Sequence, residues 1–383
     1  MNLTSKFPDL GLTIFSRMSA LAQETGAINL SQGFPDFACD AGLLEAVNGA
    51  MRAGHNQYAP MPGLPALRQA IAAKFATAYG LAVDPEREIT LTAGATQALY
   101  TAIAAVLRAG DEAIILEPAY DSYAPAIVAQ GAQPVRISLT APDFAVDWAQ
   151  VEAAVTPATR LIIVNNPNNP ATSVFSTADL DALAAIAERH DLLVLSDEVY
   201  EHLVYDEARH ASVLAHPVLR PRSFAVYSFG KTFHATGWKV GYCVAAPALT
   251  AEFRKLHQYL VFSVSTPMQH ALAAHLQEPA HWQQLAGFYQ HKRDHLARGL
   301  SAAGFKLLPS AATYFQLADY SAIRPDLGEL AFAEWLTREH GVASIPVSAF
   351  YADGREQRLV RFCFAKKEET LDAAIARLAA LAG

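Results

Sequence analysis

Cysteine is scarce in this chain of 383 residues, which holds only Cys39, Cys243 and Cys363. The three lie far apart and form no CxxC pair, which argues against disulfide bonds and a zinc site and is typical of a reducing compartment. The 13 histidines show no HExxH or other paired ligand spacing. The sequence therefore predicts no metal site.

Long apolar runs and an excess of positive charge are also missing. No stretch of about 18 apolar residues occurs, and no basic N-terminal start precedes an apolar block, so we expect neither a membrane span nor a signal peptide. The net charge of −8 argues against a nucleic-acid partner. We therefore expect a cytoplasmic protein with neither a nucleic-acid partner nor a membrane partner.

Internal repeats are absent, and the chain is longer than one core usually supports, so we expect two lobes. Strand patterns alternate with helical patterns such as 97–108 and 177–190, which is typical of an α/β protein with a mostly parallel sheet. The strands are predicted near 89–92, 112–117, 133–138, 160–164, 192–196, 223–228 and 239–245. From about 286 onward the pattern changes, with a strand at 313–317, a helix at 328–340, a strand around Val360 and a helix at 368–381. This region predicts a second, smaller α+β lobe.

Nucleotide-binding fingerprints are missing as well, since neither G-x-G-x-x-G nor G-x-x-x-x-G-K-[ST] occurs. At 89–99, however, a short strand leads through Gly94 into an alanine-rich helix. The free N–H groups and the dipole of such a helix N-terminus bind phosphate, and the Thr96 hydroxyl adds a donor. The segment predicts a site for a single phosphate.

Two lysines, Lys231 and Lys239, stand in the otherwise uncharged stretch 223–244, which also holds three glycines. An unpaired buried ammonium costs several kcal/mol or loses its proton, so these amines are expected to have a use, of which a Schiff base is one. The alternative is a pair of lysines that extend to solvent from a glycine-rich loop.

Polar residues follow two predicted strands at the point where each strand ends. Asp197 ends the apolar run 192–196, and an asparagine and proline loop at 165–170 follows 160–164. Open α/β sheets bind ligands at the carboxyl ends of their strands, so both segments are candidates for a site. The alternatives are a helix N-cap for Asp197 and an ordinary Asn-Pro turn for the loop.

A lysine for a Schiff base, an aspartate for a ring nitrogen, an asparagine loop and a phosphate site match the requirements of pyridoxal 5'-phosphate. From about Phe15 to the C-terminus the chain resembles the class I and II aminotransferases of fold type I. The motifs that carry the resemblance are 29–37, 56–58, 196–200, 230–232 and 236–241, and they are similar to kynurenine and bacterial methionine aminotransferases. The segments 120–125 and 257–260 are most similar to the methionine enzymes.

The resemblance implies a role for each residue around the cofactor. Lys231 would hold pyridoxal phosphate covalently and move a proton at the substrate Cα, and Asp197 would keep the ring nitrogen protonated. Tyr200 and Asn169 would hydrogen-bond the ring 3-oxygen, and Tyr120 would stack on the ring. The phosphate would be bound by Ala95, Thr96, Ser228, Lys239 and, from a neighbouring subunit, Tyr58.

The resemblance also implies how substrates bind. Arg361 would pair with the substrate carboxylate, assisted by Asn169 and the Gly33 backbone, although an arginine in an apolar strand is also compatible with a structural salt bridge. Phe15 and Phe34 would form an apolar pocket, together with Ile14, Tyr259, Phe262, Val264 and Ser265. We expect an apolar, sulfur-containing or aromatic donor, with methionine as the best one.

The implied fold is α/β, a fold type I transferase with a mostly parallel seven-stranded sheet, helices on both faces and a smaller α+β lobe. Residues 1–38 would form an N-terminal arm and the first segment of the small domain, 39–285 the large domain and 286–383 the small domain. A homodimer with shared active sites is expected. Kynurenine transamination, a cysteine-S-conjugate β-lyase of the same fold, and a non-catalytic sensor remain as alternatives.

Overall fold

The computed structural model describes residues 4–8, 11–206 and 208–382. Its helices are α1 (Ile14–Thr25), α2 (Ala41–Arg52), α3 (Pro65–Tyr79), α4 (Gly94–Val106), α5 (Tyr123–Ala129), α6 (Trp148–Ala153), α7 (Thr177–Arg189), α8 (Phe229–Thr232), α9 (Pro247–Leu260), α10 (Thr266–His275), α11 (Ala280–Gln283), α12 (Leu285–Ala302), α13 (Glu329–Glu339) and α14 (Glu368–Leu378). Its strands are β1 (Ile28–Asn29), β2 (Ile89–Thr92), β3 (Glu112–Glu117), β4 (Gln133–Ser138), β5 (Thr159–Asn165), β6 (Leu193–Asp197), β7 (Ser223–Ser228), β8 (Gly241–Ala245), β9 (Lys306–Leu307), β10 (Phe315–Asp319), β11 (Val342–Ala343), β12 (Ile345–Pro346) and β13 (Leu359–Cys363).

The central sheet has seven strands in the order β2-β8-β7-β6-β5-β3-β4. Only β8 runs antiparallel to its neighbours, so the predicted mostly parallel sheet is confirmed. The last strand begins at Gly241 rather than at the predicted 239, because Lys239 has a left-handed backbone (φ 52°) that a strand does not accommodate.

Helices cover both faces of this sheet, as predicted. Alternate residues of a strand point to opposite faces, and β5 follows this rule. Ile162 and Val164 pack in one cluster with Leu183 of α7, while Leu161 and Ile163 pack in a second cluster with the helices α4 and α5. Burial on both faces explains why these strands read as continuous apolar runs.

A second sheet, in the order β12-β13-β10-β9, is wholly antiparallel and packs with α12 and α13. The N-terminal segment joins this region, because β1 pairs in parallel with β11 and α1 packs against α13. Such contacts agree with the expected division into lobes, whose limits at 38 and 285 stay a prediction.

The order of the strands determines where polar residues meet. The carboxyl ends of β2, β3, β5, β6 and β7 and the amino end of the antiparallel β8 lie along the same edge of the central sheet. Residues that are up to about 150 positions apart in the chain are therefore neighbours there. Among the residues that the structure describes, no helix has the length and apolar character needed to cross a membrane.

Candidate active site

A cavity lies at this edge of the central sheet, and together with the open solvent at its mouth it encloses about 620 Å³. Nine of the residues predicted to contact a cofactor line it, which are Ala95, Thr96, Tyr120, Asn169, Asp197, Tyr200, Ser228, Lys231 and Lys239. Leu99, Asn165, Val199 and Thr236 line it too and were not predicted. Tyr58 does not line it, and its side chain is 80% exposed beside Phe262 in the single chain.

Lys231 projects from α8, the short helix that directly follows β7. Its amine donates to the Tyr314 hydroxyl at 2.6 Å and to the Gly33 carbonyl at 3.3 Å, and it faces the ring of Tyr200. Burial lowers the pKa of Lys231 to about 8, and the positive charge of Lys239 contributes. A lysine of this kind exchanges protons near neutral pH, unlike one that extends to solvent.

Asp197 ends β6 and is 4% exposed. The Tyr123 hydroxyl donates to its Oδ2 at 2.7 Å, and the Val199 N–H donates to its Oδ1 at 3.4 Å. Burial raises the pKa of Asp197 to about 6, against the effect of the Tyr123 hydrogen bond. No helix begins at this residue, so the N-cap alternative is wrong.

The asparagine loop is fixed by its own side chains. Asn165 donates to the Asp197 carbonyl at 2.9 Å and accepts from the Asn169 N–H at 2.7 Å. Asn166 and Asn168 bind backbone groups of the same region. The loop is therefore more than an ordinary turn, because it connects the ends of β5 and β6 and directs Asn169 at the cavity.

The amino end of α4 and the amine of Lys239 lie close together at the place where the sequence predicts a phosphate site, which stays a prediction. Gly94 has φ 76°, and a Cβ built on it would lie 3.0 Å from Lys239 Cε and 3.2 Å from Lys239 Nζ. Glycine is thus required here both by its backbone and by the close approach of the lysine. The N–H groups of Ala95 and Thr96 belong to the first turn of this helix, whose dipole favours an anion.

Arg361 lies on β13 and is 1% exposed. Its guanidinium stacks on Phe315, with Cζ 3.8 Å from the ring centre, and donates to Asn169 Oδ1 and to the Ser31 carbonyl. Its Nε–H is buried without a hydrogen-bond partner among the described residues. Burial lowers the pKa of Arg361 to about 10. Since no ion pair of the described residues includes it, the salt-bridge alternative is wrong and the arginine is suited to a bound carboxylate.

Of the two phenylalanines that the sequence predicted at the substrate pocket, Phe15 lies beside this arginine and Phe34 lies beside Lys366. Phe15 is half-buried, with its ring centre 5.6 Å from Arg361 Cζ. Phe34 is 41% exposed, and its carbonyl accepts from the amine of Lys366 at 2.8 Å. The predicted pocket residue Tyr259 is 90% exposed in the single chain and contributes no wall to the cavity.

Sequence reasoning missed two polar residues that the fold brings to this site, Tyr123 and Tyr314, and it included Asn165 in the candidate loop without giving it a role. Tyr123 lies 74 positions from Asp197, and Tyr314 lies 83 positions from Lys231. Local patterns carry no signal for such pairs. Asn165 did have a signal, because it stands at the carboxyl end of a buried strand.

Comparison with known proteins agrees with this geometry. The family model of aminotransferase class I and II matches residues 25–378. The chain therefore belongs to the class I and II aminotransferases.

Several individual members of this family are similar over nearly their whole length. A methionine aminotransferase of Escherichia coli is 54% identical over 98% of this chain and 97% of the relative. A probable N-succinyldiaminopimelate aminotransferase of Mycobacterium tuberculosis is 40% identical over 99% and 98%, respectively. The mouse kynurenine–oxoglutarate transaminase 1 is 34% identical over 95% and 94%.

The fold agrees with that of a solved family member. A crystal structure of an Escherichia coli protein with a methionine aminotransferase function superposes with a TM-score of 0.97, at 53% identity, over 99% of this chain and 100% of the other. The predicted resemblance to fold type I aminotransferases, and to their methionine and kynurenine members, is confirmed.

Replacement of Tyr123 by Phe tests the environment of Asp197. Because the Tyr123 hydroxyl stabilises the ionised carboxylate, its loss should raise the pKa of Asp197 from about 6 by about one unit. Infrared titration of the carboxyl stretch measures this pKa, and Asp197→Asn identifies the band.

The matched control is Tyr320→Phe, which removes a phenol that donates to the Leu327 carbonyl in the second lobe. It should leave the Asp197 band at the wild-type midpoint. An Asp197 pKa that is the same in Tyr123→Phe and in wild type contradicts the expected effect of the hydrogen bond.

Proposed function

We propose that this aminotransferase uses pyridoxal 5'-phosphate to move the amino group of an apolar, sulfur-containing or aromatic L-amino acid to a 2-oxo acid, with methionine as the best donor. The mechanism is ping-pong, so the first 2-oxo acid leaves before the second one binds. The observation that carries the proposal is that a buried lysine amine and a buried carboxylate line one cavity. A buried arginine, which has no ion-pair partner among the described residues, is hydrogen-bonded to Asn169 of the cavity wall.

The residues present fit this cofactor. The α4 N-terminus, Ser228 and Lys239 suit its phosphate, and Asp197 suits its ring nitrogen, because an ionised carboxylate holds a proton there. Tyr200 and Asn169 supply hydrogen bonds for the ring 3-oxygen, and Tyr120 supplies an aromatic face. When bound, the cofactor supplies the electron sink that removal of the substrate Cα proton requires.

The chain's own groups then perform the remaining tasks. Lys231 would hold the cofactor covalently and, as a free amine, would move the proton from the substrate Cα to the cofactor in the first half-reaction and back to Cα in the second. Its lowered pKa of about 8 makes the unprotonated amine accessible near neutral pH. Asp197, with a pKa of about 6, is ionised in the same range. Transamination should therefore increase with pH as Lys231 loses its proton.

Arg361 orients the substrate by its α-carboxylate. The unpaired Nε–H and the approach of Asn169 to the same guanidinium support this role, because a planar fork pairs with both carboxylate oxygens. Removal of water by the rings of Phe15 and Phe315 would strengthen that ion pair.

The surroundings of this arginine support the proposed substrate class. The segment 256–291 contains neither Lys nor Arg. Lys366 is 3% exposed, and its amine packs on the ring of Phe34 and donates to the Phe34 carbonyl. This lysine is therefore already engaged and does not serve as a charge partner for a substrate side chain. A distal carboxylate would lose hydration without a charge partner, whereas a thioether or an aromatic ring gains from burial.

Replacement of Lys231 by Ala tests the assignment of the cofactor lysine. The variant should lose the covalent cofactor that borohydride fixes to the wild-type chain and nearly all turnover, because no other amine lies at that position of the cavity. Mass spectrometry of the reduced protein and a transamination assay provide the measurements. Lys255→Ala, at an exposed lysine paired with Glu252, is the control and should retain both. Near wild-type turnover in Lys231→Ala would refute the assignment.

We also propose a homodimer in which Tyr58 reaches the cofactor phosphate of the partner's site. Its exposed ring, and the exposed Tyr259 and Leu260, form an aromatic and apolar surface of the kind that subunit interfaces cover. Each active site would then contain residues of both chains.

Mixed dimers of a Lys231→Ala chain and a Tyr58→Phe chain test this arrangement. Each mixed dimer has one doubly altered site and one site with both native residues, so mixing should restore activity above that of either parent. Parent dimers that have not exchanged subunits are the control. A fully active monomer, or mixing without recovery in dimers shown to exchange, would contradict the shared site.

The substrate class is tested by comparing kcat/KM for methionine, phenylalanine, leucine, kynurenine, aspartate and N-succinyldiaminopimelate with a common 2-oxo acid. Methionine and the other apolar or aromatic donors should exceed aspartate by about tenfold or more, since a burial difference of 1–3 kcal/mol corresponds to this range. An acidic donor that is tenfold better than methionine would overturn the substrate class and leave the Lys231 assignment untouched.

A further inference from the structure

The hydroxyl of Tyr314 lies between the Lys231 amine and the Gly33 carbonyl. It accepts from Lys231 Nζ at 2.6 Å and donates to Gly33 O. Tyr314 is 0% exposed, so water does not substitute for either contact. None of the assignments made above for the cofactor or the substrate includes this hydroxyl.

The number of protons defines the direction of these hydrogen bonds. A phenol carries one proton, and the Gly33 carbonyl can only accept, so the proton of Tyr314 points to Gly33. The phenol oxygen therefore accepts from Lys231. Gly33 O, at 3.3 Å, is the second acceptor near the amine, so the N–H groups of Lys231 point toward Tyr314 and Gly33. The lone pair of the unprotonated amine therefore points away from these two residues.

Both partners of the amine are held rigidly. The backbone of Tyr314 accepts from the Phe364 N–H at 2.9 Å, and the preceding Thr313 donates to the Leu203 carbonyl at 2.8 Å. Gly33 approaches these rings closely, since a Cβ built on it would lie 2.6 Å from Phe315 Cζ and 3.1 Å from Tyr314 Cε2. Only glycine fits there without displacing the rings.

Other groups face Lys231 but do not bind its amine. Asp197, Lys239, Arg361 and Cys363 act on it through their charges, and Tyr200 contributes a ring centred 5.6 Å away. Among the described residues, Tyr314 and Gly33 are the hydrogen-bond partners that the amine has.

We propose that Tyr314 is a positioning residue, whose hydroxyl holds the free amine of Lys231 so that its lone pair points to the substrate Cα. This inference rests on the role proposed for Lys231. It predicts that loss of the hydroxyl affects proton transfer more than substrate binding. In addition, an ammonium that loses an acceptor is destabilised relative to the neutral amine, so the Lys231 pKa should fall further.

Labelling of the cofactor-free protein tests the proposal without any turnover. A small amine-reactive acetylating reagent is applied over a range of pH, and mass spectrometry compares the modification of Lys231 with that of the exposed Lys306. In wild type the midpoint for Lys231 should lie near the pKa of about 8. In Tyr314→Phe it should move down by about one pH unit.

Kinetics of the holoenzyme give the second measurement. Tyr314→Phe should lower kcat for methionine about tenfold or more, as expected when a reacting group loses its orientation. KM should change little, because the hydroxyl does not contact the carboxylate-binding Arg361.

Tyr289→Phe is the matched control. Tyr289 is equally buried, its ring centre lies 5.9 Å from that of Tyr314, and its hydroxyl binds His234 Nδ1 at 2.9 Å instead of Lys231. This variant should keep the wild-type midpoint. A midpoint in Tyr314→Phe that equals those of wild type and Tyr289→Phe overturns the proposal.

A second variant decides the matter if Tyr314→Phe does not fold. Gly33→Ala places a Cβ 2.6 Å from Phe315 Cζ and 3.1 Å from Tyr314 Cε2, so it disturbs the packed pair of rings and the Gly33 carbonyl while keeping the Tyr314 hydroxyl, and it should shift the Lys231 midpoint in the same direction. No shift overturns the proposal. Borohydride fixation of the cofactor on wild-type Lys231 is examined in parallel, so that failure of the lysine assignment is distinguished from failure of the role of Tyr314.

Discussion

An excess of positive charge at one edge of the sheet is the constraint on which the site depends. Lys231 and Lys239 line the cavity there with Asp197, and Arg361, which is hydrogen-bonded to the cavity residue Asn169, adds its charge beside them. Burial shifts each of three pKa values toward the neutral form, to about 8 for Lys231, about 10 for Arg361 and about 6 for Asp197. Such a site is stabilised by anions, and the proposed phosphate and substrate carboxylate would supply them at its two ends.

This concentration of charge is possible because the strands are mostly parallel. Each parallel strand delivers one polar segment to the same edge, and the apolar remainder of the strand is buried between helices on both faces. Consequently Asp197, the asparagine loop and Lys231 come from three adjacent strands, β6, β5 and β7. Arg361 approaches from the second sheet, and its contact with Asn169 connects the two.

The same logic explains how much the sequence could predict. Strand ends are visible locally, so Asp197, Lys231 and the phosphate turn at Gly94 could be found from pattern and chemistry, and the family motifs added Arg361. Tyr123 and Tyr314 could not be found, because each acts on a residue more than 70 positions away. Their positions follow from packing between elements that are distant in the chain. The hydrophobic periodicity within a single segment carries no information about such contacts. The start of β8 was also missed, since a left-handed residue inside an apolar run leaves no signal.

The segment 196–201 shows how residues that line the cavity are supported from the side away from it. Asp197 and Tyr200 face the cavity, whereas Glu198 and Glu201 are buried away from it. Glu198 accepts from the Tyr227 hydroxyl and the Val213 N–H.

Glu201 completes this support through an ion pair with the buried Lys74. Burial opposes the charge of Glu201, but the ammonium of Lys74 lowers its pKa to about 2. Removing one member of such a pair leaves an uncompensated buried charge that costs about 3–5 kcal/mol, so both charges are kept together in the fold. Because this anchor lies four residues from Asp197, it supports that carboxylate from the side away from the cavity, in addition to the hydrogen bonds from Tyr123 and Val199.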